Sequence, residues 1–136
     1  MSVADRFFDT NVLLYLLSAD TVKADRAEEA LAEGGALSVQ VLNEFTAVSL
    51  RKLGMKLSEV REVLEPIYQV CRVIPLTMEI HQRGLDLVQR YKLSLYDSMI
   101  VAAALDAGCT TLYSEDLQDG QLFDRRLKVM NPFRMG

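Results

Sequence analysis

The sequence predicts an α/β fold of three layers, in which a mostly parallel central sheet is covered by helices on both faces. Short β-like runs alternate along the chain with amphipathic stretches of roughly 10 to 15 residues, a pattern typical of parallel strands joined by helices. Half of the 136 residues are hydrophobic, which is enough for one sizeable core. The chain is too short for two ordinary domains, so we expect residues 1–136 to form a single domain.

The first half of the chain contains two predicted strands and three predicted helices. Gly34-Gly35 and Gly54 supply C-terminal stops for the first two helices. Ser58 is a candidate N-cap of the third helix, which Pro66 should kink or interrupt. In chain order the elements are a strand at 6–9, a helix at 21–33, a strand at 36–39 and helices at 40–53 and 57–70.

The second half contains three predicted strands and two predicted helices. Thr77 is the N-cap of the first of these helices, and Gly108 ends the second, which consists of small and apolar residues. In chain order the elements are a strand at 71–76, a helix at 77–91, a helix at 96–107 and strands at 109–113 and 127–130.

Acidic residues stand where predicted strands end and inside apolar helical segments. Asp9 follows two phenylalanines at the end of the first strand, and Asp116 closes the polar run after the fourth. Glu44 and Asp97 each lie among core-type residues of a predicted helix. The functional cleft of a parallel sheet lies beyond the C-terminal ends of its strands, which is where acids at strand ends would gather.

A divalent cation is the economical partner for these acids. A carboxylate among core residues is costly to bury unless a positive charge pairs with it. Glu44, Asp97 and Asp116 have no lysine or arginine within four residues along the chain. Carboxylate and water ligands suit Mg²⁺ or Mn²⁺, whereas zinc and copper sites use His or Cys.

The single histidine, His81, excludes a His-rich metal site and argues against a histidine-pair ribonuclease or a Ser-His-Asp triad. The nucleophile that remains possible is a water molecule activated by a metal ion. Two cations about 4 Å apart would stabilise the attacking and leaving oxygens of an in-line phosphodiester displacement.

The net charge of −4 argues against a nucleic-acid partner, because affinity for a phosphate backbone comes from Lys and Arg. Bound cations would neutralise several of the carboxylates, however, so the total charge does not exclude a nucleic-acid substrate.

We expect a cytoplasmic protein that does not contact a membrane. Cys71 and Cys109 lie in apolar surroundings at no metal-ligand spacing, as expected of reduced core thiols. The apolar runs are shorter than a membrane span, and the N-terminus lacks the pattern of a secretory signal.

Four stretches in series resemble a known family. They are residues 8–15 with Asp9-Thr10-Asn11, residues 43–45 with Glu44, residues 95–104 with Asp97, and residues 112–120 with Ser114-Glu115-Asp116. In these stretches the chain is similar to PIN-domain proteins and, within that family, to the VapC-type toxins of bacterial toxin–antitoxin pairs. The resemblance covers nearly the whole chain and shows no departure at the acidic positions. It implies an α/β/α fold, Mg²⁺- or Mn²⁺-dependent cleavage of RNA, and inhibition by a cognate VapB-like antitoxin.

The resemblance also implies roles for individual side chains. Asp119 would be a supplementary ligand or would hold a water, and three polar residues would orient carboxylates or bind water. The Asp9-Thr10-Asn11 run is equally the pattern of a helix N-terminus with its cap. The implied catalytic metal ligands are Asp9, Glu44, Asp97 and Asp116, and the three orienting residues are Thr10, Asn11 and Ser114.

Two alternatives to a toxin ribonuclease stay open. One is a PIN-type nuclease that matures RNA or cuts structured DNA, and the other is a non-catalytic module that binds Mg²⁺ for signalling or binding. A receiver-type signalling domain needs a pair of adjacent acids after its first strand and a lysine after its last core strand. Here Asp9 is followed by Thr10-Asn11, and the fourth strand is followed by Ser114-Glu115-Asp116. The sequence therefore does not fit a receiver-type domain.

The partner prediction depends on apolar residues in two neighbouring helices. They would line a groove for an apolar helix of the antitoxin, or they would pack against each other in the core, and the sequence leaves both open. We also expect a homodimer. The residues are Val41, Leu42, Phe45, Val48 and Leu53 on one side and Leu57, Val60, Val63, Leu64 and Ile67 on the other.

Overall fold

The computed structural model describes residues 5–133 as six strands and six α-helices with one short 3-10 helix. The strands are β1 (Arg6–Phe8), β2 (Gly35–Ser38), β3 (Cys71–Ile74), β4 (Thr111–Tyr113), β5 (Leu122–Phe123) and β6 (Leu127–Met130). The helices are α1 (Thr10–Leu14), the 3-10 helix (Tyr15–Leu17), α2 (Thr21–Ala32), α3 (Val39–Arg51), α4 (Leu57–Val70), α5 (Met78–Tyr91) and α6 (Leu95–Asp106).

The sheet has the order β3-β2-β1-β4-β6-β5, and all neighbours are parallel except β5 and β6. The connections from β1 to β2 and from β2 to β3 step across the sheet in one direction, and the connection from β3 to β4 returns in the other. Right-handed crossovers therefore put the two sets of helices on opposite faces. The predicted three-layer fold with a mostly parallel sheet is confirmed.

The core lies between the central strands and α6. Phe7, Phe8 and Leu112 of β1 and β4 have no exposed surface. Every residue of α6 from Ser98 to Leu105 is buried, as expected of a helix that is apolar all round. Gly84 of α5 lets α6 approach closely, because a Cβ there would lie 2.6 Å from the Met99 methyl carbon.

Several predicted boundaries shift where side chains cap helices. Val39 belongs to α3 rather than to the preceding strand, because the Ser38 side chain accepts a hydrogen bond from the Val41 N–H at 3.3 Å and starts the helix one residue early. Ser58 is not the cap of α4. That helix begins after Lys56, whose N–H donates to the Glu59 carboxylate at 2.9 Å.

Of the two predicted effects of Pro66, a kink or an interruption, the interruption does not occur, since α4 is continuous through Pro66. Pro66 has no N–H to donate to the carbonyl of Glu62, one turn earlier. Both residues are exposed, so water can hydrate the unpaired carbonyl. The apolar face of α4 stays continuous, with Val60, Leu64 and Ile67 buried.

The apolar residues that the sequence assigned to α3 and α4 are divided between the core and the surface. Val41 and Phe45 of α3 have no exposed surface, and Val60, Leu64 and Ile67 of α4 are also in the core. Leu53, after α3, and Leu57, at the start of α4, are each 50% exposed, so neither interpretation that the sequence left open accounts for the whole set.

Three short elements are additional to the predicted strands and helices. The chain after Asp9 forms α1, which agrees with the helix start that the Asp9-Thr10-Asn11 run left open, and the 3-10 helix, and β5 forms a hairpin with β6. Asp124 and Arg125 in the hairpin turn have φ values of 49° and 58°. The Asn-Gly or Asp-Gly pair that usually marks such a turn in a sequence is missing.

None of the helices within residues 5–133 combines the length and the apolar character that crossing a bilayer requires.

Replacing Gly35 with alanine should destabilise the fold by about 2–4 kcal/mol. Gly35 has a φ of +150°, and an added Cβ would lie 2.8 Å from the carbonyl oxygen of Arg6 in the neighbouring strand. Gly54→Ala is the matched control, because its φ is +62° but nothing lies within 4 Å of the added Cβ. It should cost about 1 kcal/mol. Chemical denaturation measures both, and equal losses would contradict the close approach at Gly35.

Candidate functional site

The candidate site lies at the C-terminal ends of β1 and β4, where the strand order reverses direction. In an open parallel sheet such a switch point leaves a crevice between helices that diverge to opposite faces. Phe8 of β1 is in register with Tyr113 of β4, so Asp9 and Ser114 emerge side by side. The Asp9 N–H donates to the Tyr113 carbonyl at 3.0 Å, which extends the pairing by one step.

Asp9 is the central carboxylate of the site and is only 3% exposed. The Ser114 hydroxyl donates to its Oδ2 at 2.6 Å, and the Thr10 N–H donates to its Oδ1 at 2.7 Å. Asp9 is therefore also the N-cap of α1, and both interpretations of the Asp9-Thr10-Asn11 run are compatible. Arg6, three residues earlier, pairs with Glu33 at 2.5 Å and not with Asp9.

Glu44 reaches the site from α3 and is half-buried. The Thr10 hydroxyl donates to its Oε2 at 2.9 Å. Thr10 thus bonds to Asp9 through its backbone and to Glu44 through its side chain, which links the two carboxylates. The predicted orienting role of Thr10 and Ser114 agrees with these hydrogen bonds.

Asp97 and Asp116 complete a set of four carboxylates. Asp97 lies in the first turn of α6, where its N–H donates to the Ser94 side chain at 3.2 Å. Asp116 lies exposed on the loop after β4. The negative charges of Asp97 and Asp116 both act on Asp9 and on Glu44, so the four acids predicted from separate stretches of sequence lie in one electrostatic neighbourhood.

Burial and mutual repulsion make these carboxylates unusually basic. Burial raises the pKa of Asp9 to about 7, and the charges of Asp97 and Asp116 add to the shift. The pKa of Glu44 and that of Asp97 are raised as well, in both cases mainly by burial. The interactions that oppose these shifts are hydrogen bonds, such as those of Ser114 and Thr10 to Asp9. A bound cation would supply the missing positive charge.

The side chains are not arranged as a finished metal site. Within residues 5–133, no group of three or more His, Cys, Asp or Glu side chains has a geometry that could hold a metal ion. Both Asp9 oxygens already accept protein hydrogen bonds. An all-oxygen donor set of this charge fits Mg²⁺ or Mn²⁺ in chemistry, and the carboxylates would have to turn towards the ion to bind it.

Two predicted residues make other contacts. The Asn11 side-chain oxygen accepts from the Glu115 N–H at 3.3 Å, so Asn11 holds the loop after β4 rather than a ligand carboxylate. The Asp119 carboxylate accepts from the Asn131 N–H at 2.8 Å. Asp119 is not among the charges that raise the pKa of Asp9 or Glu44.

Sequence reasoning missed the neighbours of Glu115. The Tyr15 hydroxyl donates to one carboxylate oxygen, and the Lys23 ammonium pairs with the other at 3.3 Å. These residues are roughly a hundred positions from Glu115, and no local pattern marks them. Ser94, the cap that places Asp97 in its turn, was also missed, although a serine before an apolar helix is a visible signal.

The PIN domain family model matches residues 6–125, most of the chain and all four of the acids. The chain belongs to the PIN domain family. No curated protein matches this PIN domain by sequence.

Solved structures share the fold at low sequence identity. A chain of a toxin–antitoxin complex from Klebsiella pneumoniae has a TM-score of 0.69 and 22% identity, with 93% of this chain and 97% of that chain covered. The sarcin-ricin loop cleaving toxin VapC20 of Mycobacterium tuberculosis has a TM-score of 0.67 and 20% identity, over 82% of this chain and 89% of that one. A chain of VapBC2 from Rickettsia felis, bound to a promoter DNA fragment, has a TM-score of 0.64 and 17% identity, with 93% of this chain and 98% of that chain covered.

The metal-free PIN domain should lose stability as the pH rises from about 4 to about 7. The pKa of Asp9 is about 7 in the folded protein against 3.8 for an unperturbed aspartate, so the folded state binds the proton more tightly. The stabilisation is fully present below about pH 4, and it is lost, by on the order of 2–4 kcal/mol, as the pH rises towards the folded pKa of about 7. Denaturation in EDTA at pH 5 and pH 8 measures the difference.

Asp9→Asn should flatten this pH dependence, because the amide does not ionise. Asp106→Asn, an exposed acid at the other end of α6, is the control and should keep it. A pH dependence that Asp9→Asn leaves unchanged would contradict the assignment to Asp9.

Proposed function

We propose that this PIN domain is an Mg²⁺- or Mn²⁺-dependent endoribonuclease and the toxin of a type II toxin–antitoxin pair. The observation that carries the proposal is the link that Thr10 makes between Asp9 and Glu44 at the switch point of the sheet. The negative charges of Asp97 and Asp116, which raise the pKa of both, add to it. Membership of the PIN domain family and the likeness to chains of toxin–antitoxin complexes support it.

Asp9, Glu44, Asp97 and Asp116 would hold the metal, with Asp119 as a supplementary ligand or a holder of water. When bound, the metal would lower the pKa of a water molecule and offset charge on the scissile phosphate and the leaving oxygen. Ser114 and Thr10 would orient Asp9 and Glu44 through the hydrogen bonds that they already make.

The charge of the site has a second consequence for the reaction. Four carboxylates without a cation repel an RNA backbone, so substrate would bind productively only after the charge is neutralised. The acidity of the chain is then part of its metal dependence and no longer an argument against an RNA substrate.

RNA cleavage should stop in EDTA and return with Mg²⁺ or Mn²⁺. Asp9→Asn and Asp97→Asn should each reduce cleavage of single-stranded RNA at least about 100-fold, because an amide is a weak ligand for these ions. Asp106→Asn removes an acid from the other end of α6 and should leave the rate unchanged. Gel assays with mapping of the RNA ends measure the products, and full activity in EDTA would overturn the mechanism.

The proposed partner is a VapB-like antitoxin that lays an apolar helix into a groove. We propose the groove between α2 and α4 as the site for this helix. It has a volume of about 320 Å³ and is mostly apolar. Its lining includes Leu16, Leu31, Val63, Ile67 and Val70.

Expression of the protein without its antitoxin should arrest growth, and the product of the neighbouring gene should co-purify when both are expressed. Val70→Asp should release that partner, because Val70 is 46% exposed at the rim of the groove. Tyr68→Asp is the control, since Tyr68 is equally exposed on α4 outside the groove. Normal growth with active enzyme and no antitoxin would defeat the toxin proposal and leave the metal site untouched.

A cytoplasmic location and a homodimer belong to the same proposal. The free thiols of Cys71 and Cys109 are buried and fit a reducing compartment. A second copy would cover the exposed apolar side chains beside the N-termini of α5 and α6, which are Leu76, Met78, Leu95 and Tyr96.

A further inference from the structure

Glu115 stands between two residues of the candidate site and makes contacts of its own. Ser114 before it donates to Asp9, and Asp116 after it is one of the four carboxylates. Glu115 is held at three points, and each holding group comes from the segment between β1 and the middle of α2. The contacts are the Tyr15 hydroxyl on one carboxylate oxygen, the Lys23 ammonium on the other at 3.3 Å, and the Asn11 side-chain oxygen on the Glu115 N–H at 3.3 Å.

Tyr15 and Lys23 are themselves fixed in place. The Lys23 ammonium donates to the Tyr15 hydroxyl at 3.2 Å and lies 4.6 Å from the centre of the Tyr15 ring. The Tyr15 ring packs edge-on against Phe133 at 4.5 Å. The Lys23 N–H bonds to the Asp20 cap, which sets the first turn of α2. Through these contacts Glu115 is attached to the 3-10 helix and to α2, and not to another loop.

We propose that Tyr15, Lys23 and Glu115 form an anchor that positions the loop carrying Asp116 and thereby sets the affinity of the site for a divalent cation. The inference rests on the proposed metal site. Tyr15, Lys23 and Glu115 would act as positioning residues, through the loop and not as ligands. Metal affinity would then depend on residues that are not themselves ligands.

The physical basis is the entropy of ordering a ligand. Asp116 is exposed on a loop, and a mobile ligand must lose conformational freedom when it binds a cation. On the other side of Asp116 the Leu117 N–H donates to the Ser114 side chain at 3.2 Å, and the Asp119 carboxylate accepts from the Asn131 N–H at 2.8 Å. The anchor holds the residue adjacent to Asp116, so the loop is already ordered before the cation arrives. Outer contacts of this kind change metal affinity roughly 10- to 100-fold in known sites.

An electrostatic effect of Lys23 on the cation would change metal affinity in the opposite direction to a loss of the anchor, so the two effects can be distinguished. Lys23 carries a positive charge near the carboxylates, so by electrostatics its removal should tighten the binding of a cation. If the anchor sets the affinity, its removal should weaken binding because Glu115 loses one of its three contacts.

The test measures Mn²⁺ binding to the metal-free protein by calorimetry and by the electron paramagnetic resonance of free Mn²⁺. Tyr15→Phe removes one hydroxyl and no charge and should weaken binding roughly ten-fold. Tyr91→Phe is the matched control, because the Tyr91 hydroxyl also bonds to a carboxylate, that of Asp124 in the β5–β6 hairpin. It should lower the melting temperature to a similar degree and leave Mn²⁺ affinity unchanged.

Lys23→Met should weaken Mn²⁺ binding as well, and Lys23→Arg should restore it, since arginine keeps the charge and a donor for Glu115. Circular dichroism at low temperature confirms that each variant is folded during the titration. Unchanged or tighter binding in Tyr15→Phe or Lys23→Met would overturn the anchor. Wild-type protein that binds no Mn²⁺ at all would instead defeat the proposed metal site on which the anchor depends.

Discussion

A buried carboxylate between two parallel strands is the constraint around which the rest of the site is built. Asp9 follows a strand without exposed side chains and is itself almost fully buried. The Ser114 hydroxyl and the Thr10 N–H donate hydrogen bonds to its carboxylate, and the charges of the neighbouring acids oppose its ionisation. Burying an acid in this way lowers the stability of the fold, which is typical of functional sites. The protein keeps it because the surrounding sheet and α6 supply enough apolar burial to hold the four acids near one another.

Much of the fold and the main carboxylates could be predicted from the sequence because their signals are local. Asp9, Glu44 and Asp97 each stand out within a few residues of apolar sequence, and the alternation of strands and helices is visible over the whole chain. The Tyr15 and Lys23 contacts to Glu115 join positions far apart in sequence, so no window of sequence contains them. The sequence could not decide for or against a groove on α3 and α4 for a related reason: apolar residues on two neighbouring helices look the same whether they face each other or a partner.

The structure departs from the sequence prediction where the conformational preference of a single residue competes with the contacts that the fold makes around it. Val39 has a side chain that favours strands, but the Ser38 cap fixes it as the first residue of α3. Pro66 breaks isolated helices, yet the packed face of α4 and the exposure of its outer face keep the helix continuous. Asp124 and Arg125 adopt left-handed backbone angles because the hairpin is clamped by Tyr91 and Arg90 from α5.

The two edges of the sheet, in the described part of the chain, are both poor templates for another strand. At one edge β5 has two residues and ends in the clamped turn, and at the other β3 carries the charged Arg72, which bonds to the carbonyl of Ala107. Short and charged edges discourage a second chain from extending a sheet. Association through helix surfaces is therefore favoured over extension of the sheet. A protein with this arrangement can be held at high local concentration, as in a tight complex, with little tendency to grow into fibres.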